Sequence, residues 1–143
     1  MMTVDELMTR KLVTLPEEAD LHRIDDLLKL HHIRHLPIVR AGKLVGLVTH
    51  RDLLRAQART RSGHSVTAGE VMTREVETIT PDTAVRHAIN RLLDDKFGCL
   101  PVVDGQGRLV GIFTDSDVAR LAGRLLAERD KARAADSAAG PAS

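Results

Sequence analysis

The chain has 143 residues, enough for one ordinary domain or for two half-size units that share a core. Hydrophobic residues make up 43% and charged residues 29%, the balance of a globular protein, and the formal net charge is +1. Aromatic residues make up only 1%, so an aliphatic core is expected and nucleic-acid recognition by base stacking is disfavoured. Acids and bases are interleaved, so no phosphate-backbone surface and no nucleic-acid partner are predicted.

The beginning of the chain and its single cysteine bear on where the protein works. Cys99 has no second cysteine to pair with, which excludes an internal disulfide and is compatible with a reducing compartment. The first residues contain no apolar stretch of signal-peptide length, and no segment approaches the roughly 20 apolar residues that cross a bilayer. A cytoplasmic protein with no membrane partner is therefore expected.

The sequence contains two copies of one unit. A shift of 64 positions places residues 6–10 (ELMTR) on residues 70–74 (EVMTR) and Leu36-Pro37 on Leu100-Pro101. After one extra residue in the second copy, residues 42–46 (GKLVG) match residues 107–111 (GRLVG). Matches in register with a single gap indicate an internal repeat, which guides every later prediction of the fold. The copies are predicted to span residues 4–56 and 68–123, joined by a linker at residues 57–67.

Each copy is predicted to fold as β-α-β-β-α, an α/β fold of the α+β type. A short helical start (4–8, 68–72) leads to a strand (12–15, 76–79), and a helix, a β-hairpin and a last helix follow. The first of these helices is predicted over residues 19–31 of the first copy. Three strands with helices on one face cannot bury their apolar surface alone, so the copies are expected to pack together, with Met8 and Met72 filling core space between them. Residues 124–135 are predicted to extend the last helix, and residues 136–143 to be disordered.

The last hairpin strand of each copy leads into the motif Gly-x-x-Thr-x-x-Asp. Its members are Gly46, Thr49 and Asp52 in the first copy, and Gly111, Thr114 and Asp117 in the second. The glycine has no side chain, so a ligand can approach the backbone closely. The threonine lies where the strand becomes a helix, and the free N–H groups there suit a phosphate. The aspartate, about one turn further on, can accept hydrogen bonds from both hydroxyls of a ribose.

The same motif also fits a purely structural interpretation. Thr-x-x-Asp is a capping pattern, with threonine as the N-cap and an acid at the third helical position. A single copy favours capping alone, whereas the glycine at the same distance in both copies shifts the balance toward ligand binding. The two roles are compatible, and both stay open at this stage.

The repeated unit resembles a CBS domain, and residues 4–123 resemble a CBS domain pair, also called a Bateman module. The match rests on the Met-Thr start, the Leu-Pro-Ile-Val or Leu-Pro-Val-Val strand, and the Leu-Val-Gly strand that runs into Thr-x-x-Asp. The resemblance implies that the two units pack sheet to sheet about a pseudo-two-fold axis. It also implies clefts for an adenosine-containing ligand such as AMP, ADP, ATP or S-adenosylmethionine, bound as a ligand and not as a cofactor.

By the same resemblance, Thr49 and Thr114 contact phosphate or ribose, and Asp52 and Asp117 contact the ribose hydroxyls. The residues implied to line the base pocket are Val13, Thr14, His35, Leu36, Val76, Glu77, Cys99 and Leu100. Modules of this family usually pair into a disc-shaped homodimer through their helices. No effector domain is recognisable, so the signal is expected to pass to a separate effector protein in trans.

The two motifs are not equivalent in charge. The first encloses His50 and Arg51, where the second has Asp115 and Ser116. A cationic pair favours a phosphate, and Asp115 opposes one by like-charge repulsion. If only one motif serves a phosphate, the sequence favours Thr49 and Asp52, although clefts in this family draw residues from both copies.

Other chemistry is disfavoured by the sequence. His31, His32 and His35 have a spacing that can hold a metal, but their counterparts are Asp95, Lys96 and Cys99 and no further ligand follows, so no metal is predicted. No nucleophile–base pair, metal motif or phosphate-binding glycine loop of the Walker type is present, so no enzymatic activity is predicted. The prediction is a non-catalytic ligand sensor, and the alternative is a ligand-free module for dimerisation or protein interaction.

Overall fold

The elements follow the repeat in chain order. The structure is a computed structural model, and it describes residues 1–60, 65–94 and 98–138. The first copy contains a 3₁₀ turn (Val4–Glu6), α1 (Leu21–His31), β1 (His35–Arg40), β2 (Lys43–Thr49) and α2 (His50–Arg59). The second contains α3 (Ala68–Val71), α4 (Val85–Asp94), β3 (Cys99–Val103), β4 (Leu109–Thr114) and α5 (Asp115–Ala138). The fold is therefore of the α+β type, with two copies of one unit in tandem.

Both predicted hairpins are present, and they differ at their turns. β1 pairs antiparallel with β2, and β3 with β4. The first turn uses Ala41 and Gly42, both at positive φ (51° and 79°), which matches the right-handed twist of the strands. In the second turn the carboxylate of Asp104 accepts hydrogen bonds from the backbone N–H groups of Gln106 (2.8 Å) and Arg108 (3.0 Å). These bonds hold the pKa of Asp104 below its ordinary value, and the extra residue of the second copy lies in this turn.

The predicted first strand of each copy, at residues 12–15 and 76–79, is wrong as a strand. Leu15 makes one parallel bridge with Ile38, Ile79 makes one with Val102, and each sheet in the described part of the chain has two strands. A turn follows each bridge directly and ends the pairing, since the Ala19 N–H donates to the Pro16 carbonyl at 3.2 Å and the Thr83 N–H donates to the Thr80 carbonyl at 3.1 Å.

The helix boundaries also differ in detail from the predictions. α1 begins at Leu21 and not at residue 19, because Asp20 is its N-cap and accepts a hydrogen bond from the Arg23 N–H at 2.8 Å. α2 continues to Arg59, so the first residues assigned to the linker are helical, and residues 61–64 of that linker lie outside the described ranges.

The last helix is longer than predicted. α5 passes through Gly123 without a break and ends at Ala138, so the predicted disorder is wrong for residues 136–138, while residues 139–143 lie outside the described part. All residues from 122 to 138 are exposed. Within the described ranges, no helix combines the length and the apolar character needed to span a bilayer.

The start of each copy packs into the hydrophobic core of the other copy. The first core is built by α1, the β1–β2 hairpin and α2, and it includes Ala68 and Met72 from the second copy. The second core is built by α4, the β3–β4 hairpin and α5, and it includes Val4 and Met8 from the first copy. The aliphatic character expected from the composition holds, with Phe113 fully buried in the second core.

Reciprocal backbone hydrogen bonds hold the start of each copy against the other copy, an arrangement that amounts to an exchange of segments. Thr9 and Ile112 exchange N–H···O bonds of 2.8 and 3.0 Å, and Leu47 and Thr73 exchange two bonds of 2.9 Å. The two hairpin turns also meet, since the Leu109 N–H donates to the Gly42 carbonyl at 3.1 Å. Each contact has a counterpart in the other half, which is the arrangement expected of two copies related by a pseudo-two-fold axis.

The motif glycines serve this packing. A Cβ at Gly46 would lie 2.8 Å from Cγ of Met72, and a Cβ at Gly111 would lie 2.6 Å from Sδ of Met8. Carbon–carbon contacts are optimal near 3.5–4.0 Å, so no larger residue fits without displacement. The prediction that these glycines open the backbone to a ligand is therefore corrected, because the methionine of the other copy fills that space. The predicted role of Met8 and Met72 in the core between the copies is confirmed.

We expect Gly46→Ala to lower the free energy of unfolding by about 1–3 kcal/mol, because the added methyl group overpacks the contact with Met72. Gly105→Ala is the matched control, since a Cβ there has no atom within 4 Å. Urea unfolding measures both variants. Adding Met72→Ala to Gly46→Ala is expected to recover part of the loss beyond additivity, and equal stabilities of Gly46→Ala and Gly105→Ala would contradict the packing argument.

Candidate functional site

The first motif forms a complete capping box at the start of α2. Oγ1 of Thr49 accepts a hydrogen bond from the Asp52 N–H at 3.1 Å, and Oδ2 of Asp52 accepts one from the Thr49 N–H at 2.9 Å. The N–H of His50 donates to the carbonyl of Arg34 at 2.9 Å, which holds the residue before β1 beside the motif. The structural interpretation of the motif is thus realised in the first copy, and it leaves Oδ1 of Asp52 for another donor.

A cleft of about 650 Å³ opens directly over this capping box. Residues of α2 form one wall, the start of β1 forms another, and two residues of the second copy close it. The lining residues are Arg34, His35, Thr49, His50, Arg51, Asp52, Leu54, Arg55, Thr73 and Asp115. Five residues predicted for the ligand site therefore meet in one cleft: His35, Thr49, His50, Arg51 and Asp52.

The charge of the cleft is set by Arg34, Arg51 and Arg55 against Asp52 and Asp115. Across the described ranges, none of the three guanidinium groups lies within 4.0 Å of a carboxylate oxygen. Guanidinium groups bind phosphate and carboxylate oxygens in pairs of hydrogen bonds, and the start of α2 adds the positive end of a ten-residue helix. The cleft is thus suited to an anionic group next to a hydroxyl-bearing one.

The second motif has a different geometry. Oδ2 of Asp117 accepts a hydrogen bond from the Thr114 N–H at 2.8 Å, as in the first copy, but Oδ1 accepts one from Oγ1 of Thr9 at 2.8 Å. Arg120 forms an ion pair with the same oxygen. Asp117 is only 2% exposed, so its carboxylate is enclosed by protein groups on every oxygen.

The residues implied for a base pocket are dispersed. Leu36 and Leu100 have fully buried side chains that belong to the two cores, and neither residue lines the cleft. Cys99 is also buried, at 1% exposure. Val13, Thr14 and Val76 are half-buried and Glu77 is exposed, and none of these four residues lines the cleft.

Sequence reasoning missed Arg34, Arg55, Thr73 and Asp115 as members of this cleft. Arg55 and Thr73 carry a usable signal, because each belongs to a residue pair that is identical in both copies, Arg55 with Arg120 and Thr73 with Thr9. The sequence assigns Asp115 to the second motif only. The repeat tells which residues are equivalent but not which copy they face, so this placement needed the structure.

The three histidines whose spacing could hold a metal lie in different surroundings. His31 and His32 lie at the end of α1 and are exposed, while His35 begins β1 and lines the cleft. In residues 1–60, 65–94 and 98–138, no three His, Cys, Asp or Glu side chains converge on a position that could hold a metal ion.

The family model of the CBS domain matches this chain twice, at residues 4–59 and 68–124. Among solved structures, an acetoin utilization protein (AcuB) from Vibrio cholerae is 37% identical, with a TM-score of 0.83 over 92% of this chain and 97% of the other. CBSX2 of Arabidopsis thaliana in complex with AMP is 29% identical, with a TM-score of 0.78 over 87% of this chain and 98% of that one. The CBS domain pair of protein MJ0100, in complex with 5′-methylthioadenosine and S-adenosyl-L-methionine, is 34% identical, with a TM-score of 0.76 over 86% and 97%.

Curated relatives are much longer than this chain. The L-aspartate semialdehyde sulfurtransferase of Methanocaldococcus jannaschii is 35% identical over 121 residues, which cover 84% of this chain and 23% of the relative. The inosine-5′-monophosphate dehydrogenase of the same organism is 28% identical over 89% of this chain and 25% of the relative. The chain therefore spans about a quarter of the length of these enzymes.

We expect Thr49→Val to lower the free energy of unfolding by about 1 kcal/mol, because the variant keeps the shape but loses the side-chain acceptor of the N-cap. Thr49→Ser keeps the hydroxyl and is the matched control. Thermal unfolding followed by circular dichroism measures both. A serine variant as destabilised as the valine variant would show that the hydroxyl does not stabilise the helix start.

Proposed function

The chain belongs to the CBS domain family, and from that premise we propose that it is a regulatory module that binds an adenosine-containing ligand. The observation that carries the proposal is the cleft over the first motif, where an aspartate with an uncommitted oxygen lies among three arginines. Similar CBS domain pairs have been solved with AMP and with S-adenosyl-L-methionine bound, which supports a ligand of this class.

Asp52 is proposed as the ribose-binding residue. Its Oδ2 accepts a hydrogen bond from the Thr49 N–H, which fixes the rotamer. Its Oδ1 has no hydrogen-bond donor from any described residue, and Asp52 lines the cleft. A carboxylate held in this way accepts hydrogen bonds from ribose hydroxyls without first losing a protein partner. Hydrogen bonds to charged groups contribute about 1.5–3 kcal/mol each, so this residue is expected to affect affinity strongly.

The phosphate is proposed to bind among Arg34, Arg51 and the hydroxyl of Thr49. Arg34 is held beside the motif through its own carbonyl, and Arg51 is in the first turn of α2, near the positive end of the helix. S-adenosylmethionine carries a cationic sulfonium in place of the phosphate. The three arginines of the cleft therefore favour AMP, ADP or ATP over S-adenosylmethionine.

The output of the module is proposed to be non-catalytic. The lining residues contain no pairing of a nucleophile with a general base, and no such constellation was found in the sequence. A ligand that binds one shape of the module better than another shifts the population of shapes, and a separate effector protein would detect the shift.

A second interpretation, a dimerisation or interaction module, is favoured by one observation. Large apolar side chains on four helices are exposed, at 51–79% of their surface: Leu30, Leu54, Leu93, Leu125 and Leu126. Exposed leucines on helices are covered when two modules associate, and we propose a homodimer for this reason. Dimerisation is compatible with ligand binding, so only a failure to bind any ligand would make it the sole function.

Isothermal titration calorimetry with AMP, ADP, ATP and S-adenosylmethionine tests the proposal. We expect micromolar binding of at least one phosphate-bearing ligand, weaker binding of S-adenosylmethionine, and an affinity at least about 10-fold lower for Asp52→Asn, which corresponds to roughly 1.4 kcal/mol. Because asparagine still accepts the Thr49 N–H, this variant is expected to remain folded.

Asp26→Asn is the control for charge, since Asp26 is exposed on α1, its Oδ2 lies 3.4 Å from Nε2 of His22 on the same helix, and it does not line this cleft. Its nucleotide affinity is expected to equal that of the parent protein. The proposal fails if no adenosine ligand binds, or if Asp52→Asn and Asp26→Asn have the same affinity. Turnover of a bound nucleotide would overturn the non-catalytic assignment.

A further inference from the structure

Asp117 is held by donors from both copies of the repeat. The N–H of Thr114 and the hydroxyl of Thr9 each donate to the carboxylate at 2.8 Å, and Arg120 completes the set with an ion pair. Thr9 is 108 positions away in the sequence and belongs to the segment that crosses into the second half. We call this group the clasp, and its four residues are Thr9, Thr114, Asp117 and Arg120.

The equivalent residues of the first motif do not form a clasp. Thr73 and Arg55 are the counterparts of Thr9 and Arg120, and both line the open cleft with Asp52. Within the described ranges, neither donates a hydrogen bond to Asp52 or forms an ion pair with it. Asp52 is half-buried, whereas the side chain of Asp117 is 1% exposed. The equivalent threonine and arginine thus bind the aspartate in the second half, and in the first half they leave it accessible.

The positions around the second motif also lack the cations found at the first. Arg34, His35, His50 and Arg51 of the first cleft correspond to Gly98, Cys99, Asp115 and Ser116. Arg120 is the cation nearest to Asp117, and it is already paired with that residue. Asp115 lines the first cleft, where three arginines offset its charge, and the second motif offers a phosphate no counterpart of the four cationic or titratable side chains found at the first.

We propose that the second motif has become a structural clasp between the copies, and that each chain binds one nucleotide, at Asp52. Thr9 is a positioning residue in this arrangement, because its hydroxyl ties the exchanged segment of the first copy to α5. A ribose at Asp117 would have to displace both Thr9 and Arg120 from a buried carboxylate. The carboxylate would then lose two charge-assisted contacts and gain two hydrogen bonds from the ribose hydroxyls, with no net increase in contacts. The inference on stoichiometry rests on the proposed function, whereas the inference on the clasp does not.

Calorimetric stoichiometry with ATP tests the single site on the unmodified protein. We expect one ATP per chain, bound with an affinity that Asp52→Asn lowers at least about 10-fold and that Asp117→Asn leaves unchanged. Two ATP molecules per chain, or binding that persists unchanged in Asp52→Asn and disappears in Asp117→Asn, would overturn the assignment. No ATP binding at all would refute the proposed function and the single site together, but it would leave the clasp to the next experiment.

Thr9→Val and Thr73→Val form a matched pair for the clasp, because they make the same change at equivalent positions. Valine keeps the shape of threonine and removes the hydroxyl. We expect Thr9→Val to lower Tm by about 4 °C or more and to leave ATP stoichiometry at one, and Thr73→Val to leave Tm nearly unchanged. Equal Tm values for the two variants, or a second ATP bound by the parent protein, would overturn the clasp. Thr9→Ser, which restores the hydroxyl, is expected to recover most of the lost Tm.

Discussion

Met72 lies on Gly46 and Met8 lies on Gly111, and the rest of the structure depends on these two contacts. Each methionine belongs to one copy and covers a hairpin strand of the other, so neither hairpin can bury its inner face without the exchange. The contact also sets the site. Thr73 follows Met72 in the chain, and its two hydrogen bonds with Leu47 place it at the edge of the cleft. A packing constraint at a glycine thus brings a residue of the second copy to a site built by the first.

The backbone of the two halves obeys this constraint equally, but their side chains do not. Thr9 and Thr73 occupy the same place in the exchange, yet Thr9 bonds to Asp117 and Thr73 faces an open cleft. Both motifs keep a structural role, because in each copy the aspartate accepts a hydrogen bond from the threonine N–H at the start of a helix whether or not a ligand binds. One half can therefore keep the motif for stability alone while the other uses it for binding. Binding of one nucleotide per chain therefore requires a difference in side-chain contacts between the two halves, but no difference in their backbone fold.

The hairpins and helix starts were predictable because they depend on local patterns: aliphatic runs around a glycine turn, and an acid three residues after a threonine. The first strands were predicted wrongly, since an apolar run such as residues 12–15 does not reveal that only Leu15 is bridged. The role of Gly46 was also missed, because the atom that fills its space comes from residue 72. Charge differences between the motifs pointed to Asp52. The enclosure of Asp117 depends on contacts between residues 108 positions apart, which one sequence does not display.

Amide chemical-shift mapping during an ATP titration tests the central claim most directly, because it reports both motifs in one experiment on the unmodified chain. The account predicts saturable shifts at the backbone amides of Thr49, Asp52 and Thr73, with those of Ala119 and Arg120, further along α5, unchanged. Shifts at Ala119 and Arg120 as large as those at Thr49 and Asp52 would contradict the division of roles between Asp52 and Asp117. Shifts confined to the second motif, or none at either, would contradict the assignment of the cleft itself.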